Sequence, residues 1–244
     1  MALSVVMPLD ISGESAKYPA LFEKMGVDFT ARRCTTPEEV VVLARDADAI
    51  ITEGSQCPIP REVIENLNRC RIIAGTQIGY DTFDILAAAE RGILVTNVPG
   101  YCVEEVSDHA MALILACARQ VVALNEAAKR GEWGFGPHSS HIREVIRARM
   151  DALGGKTLGI LGFGAIGRSL APKARAFRMR VLASDPFVDA PVGQEAGVEM
   201  VDWPTLLRES DFISIHAALT PETRHVFDEN AFASLKPTCC LVNT

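Results

Sequence analysis

The chain has little of what marks a membrane, metal or nucleic-acid protein. No apolar run in its 244 residues approaches the ~20 needed to cross a bilayer. The opening MALSVVMPLD lacks a basic segment and has only a short apolar run, so it reads as a first strand and not as a signal peptide. Aromatic residues make up only 6%, and the net charge of −7 argues against a general nucleic-acid or membrane surface. Seven cysteines occur without one C-x-x-C pair: Cys34, Cys57, Cys70, Cys102, Cys117, Cys239 and Cys240. An odd, scattered set without metal-ligand spacing points to reduced thiols in a cytoplasmic protein and to no metal site. Cys102 reads as a small, semi-buried side chain, with a reactive loop thiol as the alternative. No internal repeat or low-complexity tract is evident.

What is present is a glycine-rich stretch in full context. Leu158–Asp185 contains Gly162-Phe163-Gly164-Ala165-Ile166-Gly167. Thr157–Leu161 is strand-like, Arg168–Phe177 places Leu170, Ala174 and Phe177 on one helical face, and Arg180–Ala183 is a second strand leading to Asp185. Each part of this βαβ unit has a physical task. Gly162 permits the tight turn, Gly164 lets a pyrophosphate approach the backbone, and Gly167 lets helix and strand pack closely. The helix N-terminus offers unpaired N–H groups and a partial positive charge. Asp185 would accept hydrogen bonds from the adenosine ribose and repel a 2′-phosphate, favouring NAD over NADP. The alternative is a glycine-rich turn holding no ligand.

The first hundred residues alternate strands and helices. Strands are expected at Leu3–Met7, Asp28–Ala31, Ala49–Thr52, Arg71–Ala74 and Ile93–Thr96. Helices are expected at Tyr18–Met25, after Thr36, at Pro60–Asn66 and at Asp84–Arg91. This alternation implies an independent α/β domain with a parallel, flavodoxin-like sheet. A long helix is expected over Val103–Arg130, apolar on most faces and therefore buried in a core or against a partner subunit. A surface helical stretch is expected near Ile142–Arg149. Beyond Asp185 the pattern gives a helix at Trp203–Leu207, a strand at Phe212–His216, a helix closing at Phe232–Leu235 and a strand at Cys239–Asn243.

Four segments carry a specific likeness: TQIGYDTFD with Ile78 and Gly79; Val95-Thr96-Asn97-Val98-Pro99-Gly100 followed by Glu105-Val106-Ser107-Asp108-His109-Ala110; Gly155–Gly159 running into the glycine motif and Asp185-Pro186; and His216–Arg224 followed by LKPTCCLVNT. In this order and spacing the chain resembles the NAD-dependent D-2-hydroxyacid dehydrogenases, a family that includes D-3-phosphoglycerate dehydrogenases and C-terminal binding proteins. The resemblance implies a flavodoxin-like substrate domain over residues 1–98 and a Rossmann-type, doubly wound NAD-binding domain over 99–244, the latter incomplete at its C-terminal end. It implies that backbone N–H groups at Ile78 and Gly79 bind the substrate carboxylate, with Ser55 nearby in the Thr52–Gln56 loop, which faces an interdomain cleft or is an ordinary turn. It also implies that Ala165 and Ile166 lie against the pyrophosphate and that Asp185 holds the ribose. His216, Ala217 and Thr223 would border the adenosine and phosphate side. Asn243 and Thr244 would approach the nicotinamide ribose, and Ser107 would lie near the cofactor.

His216 is read as a pocket residue and not as the proton donor, and Asp108-His109 as helix packing. The family's catalytic arginine, glutamate and histidine fall beyond Thr244, so no catalytic residue is expected within the chain. The chain is therefore expected to be a fragment that binds NAD weakly or not at all and turns over no 2-keto acid. A natural short protein that kept cofactor binding is the alternative. Gly54 stands where the phosphoglycerate enzymes place an arginine, which weakens the case for a phosphorylated substrate. The resemblance implies a homodimer through Val103–Arg130 and the Trp133 region. Two rival readings are an NAD(H)-sensing interaction protein like the C-terminal binding protein co-repressors and a methyltransferase. The His216–Thr223 segment and LKPTCCLVNT argue against the methyltransferase.

Overall fold

The computed structural model describes residues 2–132, 142 and 150–244. The Trp133 region and the helix expected near Ile142–Arg149 lie outside the described residues, apart from Ile142, which is buried and packs with Ala127. The chain divides into two compact units, Met1–Tyr101 and Cys102–Thr244, where the sequence suggested 98/99.

The first unit contains strands β1 (Ser4–Met7), β2 (Asp28–Ala31), β3 (Ala49–Thr52), β4 (Ile72–Gly75) and β5 (Leu94–Thr96). Its helices are α1 (Tyr18–Lys24), α2 (Pro37–Ala44), α3 (Arg61–Glu65) and α4 (Ile85–Glu90), with a 3-10 turn at Gly13–Lys17. All strand pairs are parallel, in the order β2-β1-β3-β4-β5, which is the flavodoxin-like 2-1-3-4-5 arrangement. Local chemistry sets the helix starts. Thr36 accepts the Glu39 N–H ahead of Pro37, and Asp84 accepts the Ala87 N–H at 2.8 Å. Ile50 and Ile73, paired in register on β3 and β4, are fully buried with Ile59, Val63 and Ile64. Burial of each such side chain contributes roughly 1.5–3 kcal/mol.

The second unit contains α5 (Val103–Ala118), α6 (Val121–Lys129), β6 (Thr157–Leu161), α7 (Ala165–Ala176), β7 (Arg180–Ser184), α8 (Ala190–Glu195), β8 (Glu199–Met200), α9 (Trp203–Glu209), β9 (Phe212–Ile215), α10 (Glu229–Ser234) and β10 (Cys240–Asn243). Its parallel sheet runs β10-β9-β6-β7-β8. Counted along the chain this is 3-2-1-4-5, the doubly wound order. Every residue of the central β6 is buried, as expected of a strand covered on both faces. Leu170, Ala171 and Ala174 of α7 are fully buried. Phe177, expected on the same face, is the C-cap residue and stays half-exposed.

Two features differ from the sequence expectation. The helix expected over Val103–Arg130 is two helices, bent by 61°. Gln120 between them is left-handed at φ 52°. The Ala118 carbonyl, which a continuous helix would give to Val122, instead accepts the Asp151 N–H at 2.9 Å, and the Gln120 side chain donates to Cys117 O at 2.7 Å. No single helix among the described residues is long and apolar enough to cross a membrane. Second, α8 and the two-residue β8 went unforeseen. They are short, and α8 carries Pro191 and Gly193, which hide its periodicity.

Candidate functional site

In the second unit, the chain leaves β6 and turns at Gly162, whose φ of 87° favours glycine. A Cβ there would meet Ala217 N at 2.5 Å and His216 C at 2.7 Å. A Cβ on Gly167 would meet Gly162 O at 2.5 Å. The first glycine therefore lets β6 abut the end of β9, and the last lets α7 return onto the turn. Gly164 is different: nothing lies within 4 Å of its Cβ position, and the residue is exposed. Gly164 is also the N-cap of α7, in extended backbone. The first bond of α7 runs from Arg168 N–H to Gly164 O at 3.0 Å. The N–H groups of Gly164, Ala165, Ile166 and Gly167 have no acceptor among the described residues. Together they form a run of donors at the positive end of a twelve-residue helix. Free donors, an open glycine face and no side chain in the way are what a pyrophosphate requires.

Asp185 stands at the end of β7, with both carboxylate oxygens engaged. One accepts the Phe163 N–H at 2.8 Å, which ties the glycine loop to β7, and the other accepts the Phe187 N–H at 2.9 Å. A carboxylate has about four lone-pair sites, so capacity remains for a ribose. Arg168 Nε donates to Phe163 O at 3.0 Å.

His216 follows β9, and its N–H donates to Leu161 O at 2.7 Å. Its Nε2 shares a 2.8 Å hydrogen bond with the buried Ser214 hydroxyl. Burial lowers its pKa to about 4, so near neutrality the ring is uncharged and has no second proton to give. Ala217 abuts Gly162. Thr223 Oγ1 donates to Ala218 O at 2.7 Å and accepts the Thr220 N–H at 2.8 Å, closing the loop after β9. Asn243 and Thr244 are exposed at the end of β10, where Asn243 pairs with Ile215. Ser107, expected near the cofactor, is fully buried. Its hydroxyl lies between Ser169 Oγ (2.9 Å) and Lys173 Nζ (2.6 Å), in the packing of α5 on α7. It supports the helix that carries the cradle and presents no surface to a ligand.

In the first unit, Ile78 and Gly79 lie in the loop after β4, and neither of their N–H groups has an acceptor among the described residues. Asp81 Oδ1 would lie 3.0 Å from a Gly79 Cβ. Sequence reasoning missed what holds this loop. Val98 N–H donates to Gln77 O at 3.0 Å, and Asn97 Nδ2 donates to Ile78 O at 2.7 Å. The Gln77 side chain accepts the Gly54 N–H at 2.5 Å and donates to Thr82 Oγ1 at 3.3 Å. A polar Asn directly after a strand was the available signal. Gly54 is buried, and a Cβ would overlap Thr82 Oγ1 and the Gln77 amide. Close approach therefore leaves no room for a side chain at this position. Ser55 is exposed and donates to Glu53 at 2.8 Å. A cavity of about 560 Å³ runs along β5, lined by Tyr80, Ile85, Leu94 and Asn97 among others, but neither Ile78 nor Gly79 lines it.

The chain is 40% identical over 200 residues to a glyoxylate reductase of Thermococcus litoralis, covering 82% of this chain and 59% of the relative. It is 36% identical over 207 residues to a hydroxypyruvate reductase of Thermotoga maritima, covering 85% and 63%. It thus spans about 60% of the length of these curated relatives. A solved NAD-dependent formate dehydrogenase of Staphylococcus aureus in complex with NAD superimposes with a TM-score of 0.84 at 27% identity, covering 100% of this chain and 73% of that one. The family model described as D-isomer specific 2-hydroxyacid dehydrogenase, NAD binding domain, matches residues 111–244, more than half of the chain. With a doubly wound sheet, a free N–H cradle and an acid at the end of the second strand, the chain belongs to the D-isomer specific 2-hydroxyacid dehydrogenase family, and NAD is the cofactor of its second unit.

Proposed function

We propose that this chain is the cofactor-binding and carboxylate-binding part of an enzyme that transfers a hydride between NAD(H) and a small D-2-hydroxy acid or its 2-keto acid. The observation that carries this reading is the unpaired run of N–H groups at Gly164–Gly167 beside Asp185. Bound NAD supplies or accepts the hydride at its nicotinamide. Gly164, Ala165 and Ile166 hold the pyrophosphate through backbone N–H groups. Asp185 takes the ribose hydroxyls and disfavours a 2′-phosphate. His216, Ala217 and Thr223 wall the adenosine side, and Asn243 and Thr244 reach the nicotinamide ribose. Ile78 and Gly79 bind the substrate carboxylate, with Ser55 at its margin. The buried Gly54 supports a small, unphosphorylated acid.

Reduction of a keto group also needs a cation and a proton donor at the developing alkoxide. His216, held neutral by burial, is unsuited to the second task. We assign both tasks to arginine, glutamate and histidine residues outside this chain. Assembly as a homodimer in the cytoplasm completes the reading, supported by the exposed Val121 and Val122 of α6 and by cysteines that are all free.

The test is a fluorescence titration of the 244-residue chain with NADH and NADPH, together with an oxidation assay. Weak NADH binding is expected, at least tenfold weaker for NADPH and about tenfold weaker for Asp185→Ala. No NADH oxidation is expected with glyoxylate or hydroxypyruvate. Equal affinity for the two cofactors would remove Asp185 from its role, and turnover by this chain would place the missing groups within it.

A further inference from the structure

The donors of the carboxylate loop are aimed from behind. The peptide unit joining Gln77 to Ile78 has its carbonyl bound by Val98 N–H (3.0 Å), and the unit joining Ile78 to Gly79 has its carbonyl bound by Asn97 Nδ2 (2.7 Å). In a trans peptide the C=O and N–H point in opposite directions. A carbonyl tied to the strand-end segment Asn97-Val98 therefore turns its own N–H away from that segment. These two units carry the Ile78 and Gly79 N–H groups, neither of which has an acceptor among the described residues. A bound carbonyl also polarises its peptide and makes the N–H a better donor, by about 10–30% per bond.

The loop is tied on its other flank as well. Thr76 N–H donates to Thr52 O at 3.0 Å, and the Gln77 side chain bridges Gly54 and Thr82. Without Asn97 those bonds would still hold residues 76–77 but not the peptide that ends in Gly79. A glycine on that peptide makes the tether more necessary, because Gly79 itself permits a wide range of φ.

We infer that Asn97 is a positioning residue for carboxylate recognition, orienting and polarising the Gly79 N–H through the Ile78 carbonyl, while Val98 does the same for Ile78. The inference rests on the reading of Ile78 and Gly79 as the carboxylate donors. Asparagine suits the task because its amide donates without charge. Aspartate would set an oxygen against the Ile78 carbonyl and add negative charge beside an anion site.

The test is a titration of the ¹⁵N-labelled 244-residue chain with oxamate, followed by amide resonances. In the wild type both the Ile78 and Gly79 amides are expected to shift saturably. In Asn97→Ala the oxamate affinity is expected to fall about tenfold, with the Gly79 shift lost and much of the Ile78 shift kept. Asn97→Ser, which can still donate, is expected to recover part of it. Asn97→Asp keeps the side-chain shape if the alanine variant fails to fold, and it is expected to lose binding. NADH affinity should be unchanged throughout. General loosening of the loop would instead move both amides together. Unchanged oxamate affinity and an unchanged Gly79 shift in Asn97→Ala would overturn the positioning role alone. Failure of the wild-type amides to respond to oxamate would overturn the carboxylate reading and this inference with it.

Discussion

The loop at 162–167 and the loop at 76–79 both present backbone N–H groups without acceptors among the described residues, but they are wired differently. In the second unit the donors are the first turn of α7, and the helix aims them. In the first unit no helix begins at Ile78 or Gly79. There the aim comes from carbonyls tied to Asn97 and Val98, which follow a different strand. A helix-borne cradle is contained within one contiguous motif. A tethered cradle depends on two segments meeting across a sheet, and its defining bonds join residues far apart in sequence. The first should therefore fail when its turn is disturbed, and the second when a distant partner is.

The largest effect is expected at Gly162. An alanine there must hold φ at 87° and push against residues 216–217. A left-handed L-residue costs about 1–2 kcal/mol and overpacking about 1–3 more, so Gly162→Ala should lose roughly 2–5 kcal/mol and bind no NADH. Gly164→Ala is the contrast: with open space at its Cβ, it should leave stability within about 0.5 kcal/mol and block only the ligand. Urea unfolding followed by the fluorescence of Trp203, in α9, reads the second unit. Equal midpoints for the two variants would break the account of Gly162 as a wedge against the end of β9.

The same contrast explains what was legible in the sequence. The strands of both sheets, apart from the two-residue β8, could be read from short apolar runs between turn signals, and the βαβ unit from the spacing of Gly162, Gly164 and Gly167 with Asp185. These signals are local. The break at Gln120 was hidden because it depends on Asp151 capturing the Ala118 carbonyl. The burial of Gly54 was hidden because it depends on Thr82 and Gln77. Ser107, which the resemblance put near the cofactor, has its hydroxyl engaged by Ser169 and Lys173 on α7, contacts that the sequence did not show. The bonds from Asn97 and Val98 to the loop left only the polar Asn after β5 as a signal, since a hydrogen bond to a distant carbonyl leaves no periodic trace.

A middle-sized effect is expected at Gly54, which sharpens the comparison from the first unit's side. A Cβ there would overlap Thr82 Oγ1 and the Gln77 amide and lie 2.9 Å from the Phe83 ring. Gly54→Ala should destabilise the first unit by about 1–3 kcal/mol. It should also weaken oxamate binding, because Gln77 must move and Gln77 O is one of the tied carbonyls. NADH affinity should not change. Hydrogen exchange at Ile50 and Ile73, both fully buried in that unit, measures the stability change. If exchange there is unaltered, the turn after β3 is not packed as close as the geometry requires.

At neutral pH the smallest effect is a pH limb belonging to the second unit, which appears only on acidification. His216 has its pKa lowered to about 4 by burial, against an ordinary value of 6.5. Between those values the unfolded chain binds a proton that the folded chain refuses, so stability falls as pH drops from 6.5 through 4 and is undiminished above 6.5. His216→Asn cannot titrate and should lose less over that window, with the difference vanishing by pH 7. Asp211, whose pKa is lowered by the Lys236 ammonium and the Thr157 N–H against an opposing burial cost, loses its contribution only at lower pH, so the two limbs separate. The tethers of the first unit are amides and backbone N–H groups, and they carry no such limb. Urea midpoints at pH 7, 5.5 and 4 for wild type and His216→Asn decide the matter. Parallel decline of the two proteins would mean that the His216 ring is not kept neutral, and that its surroundings are wetter than the 2.8 Å bond to Ser214 implies.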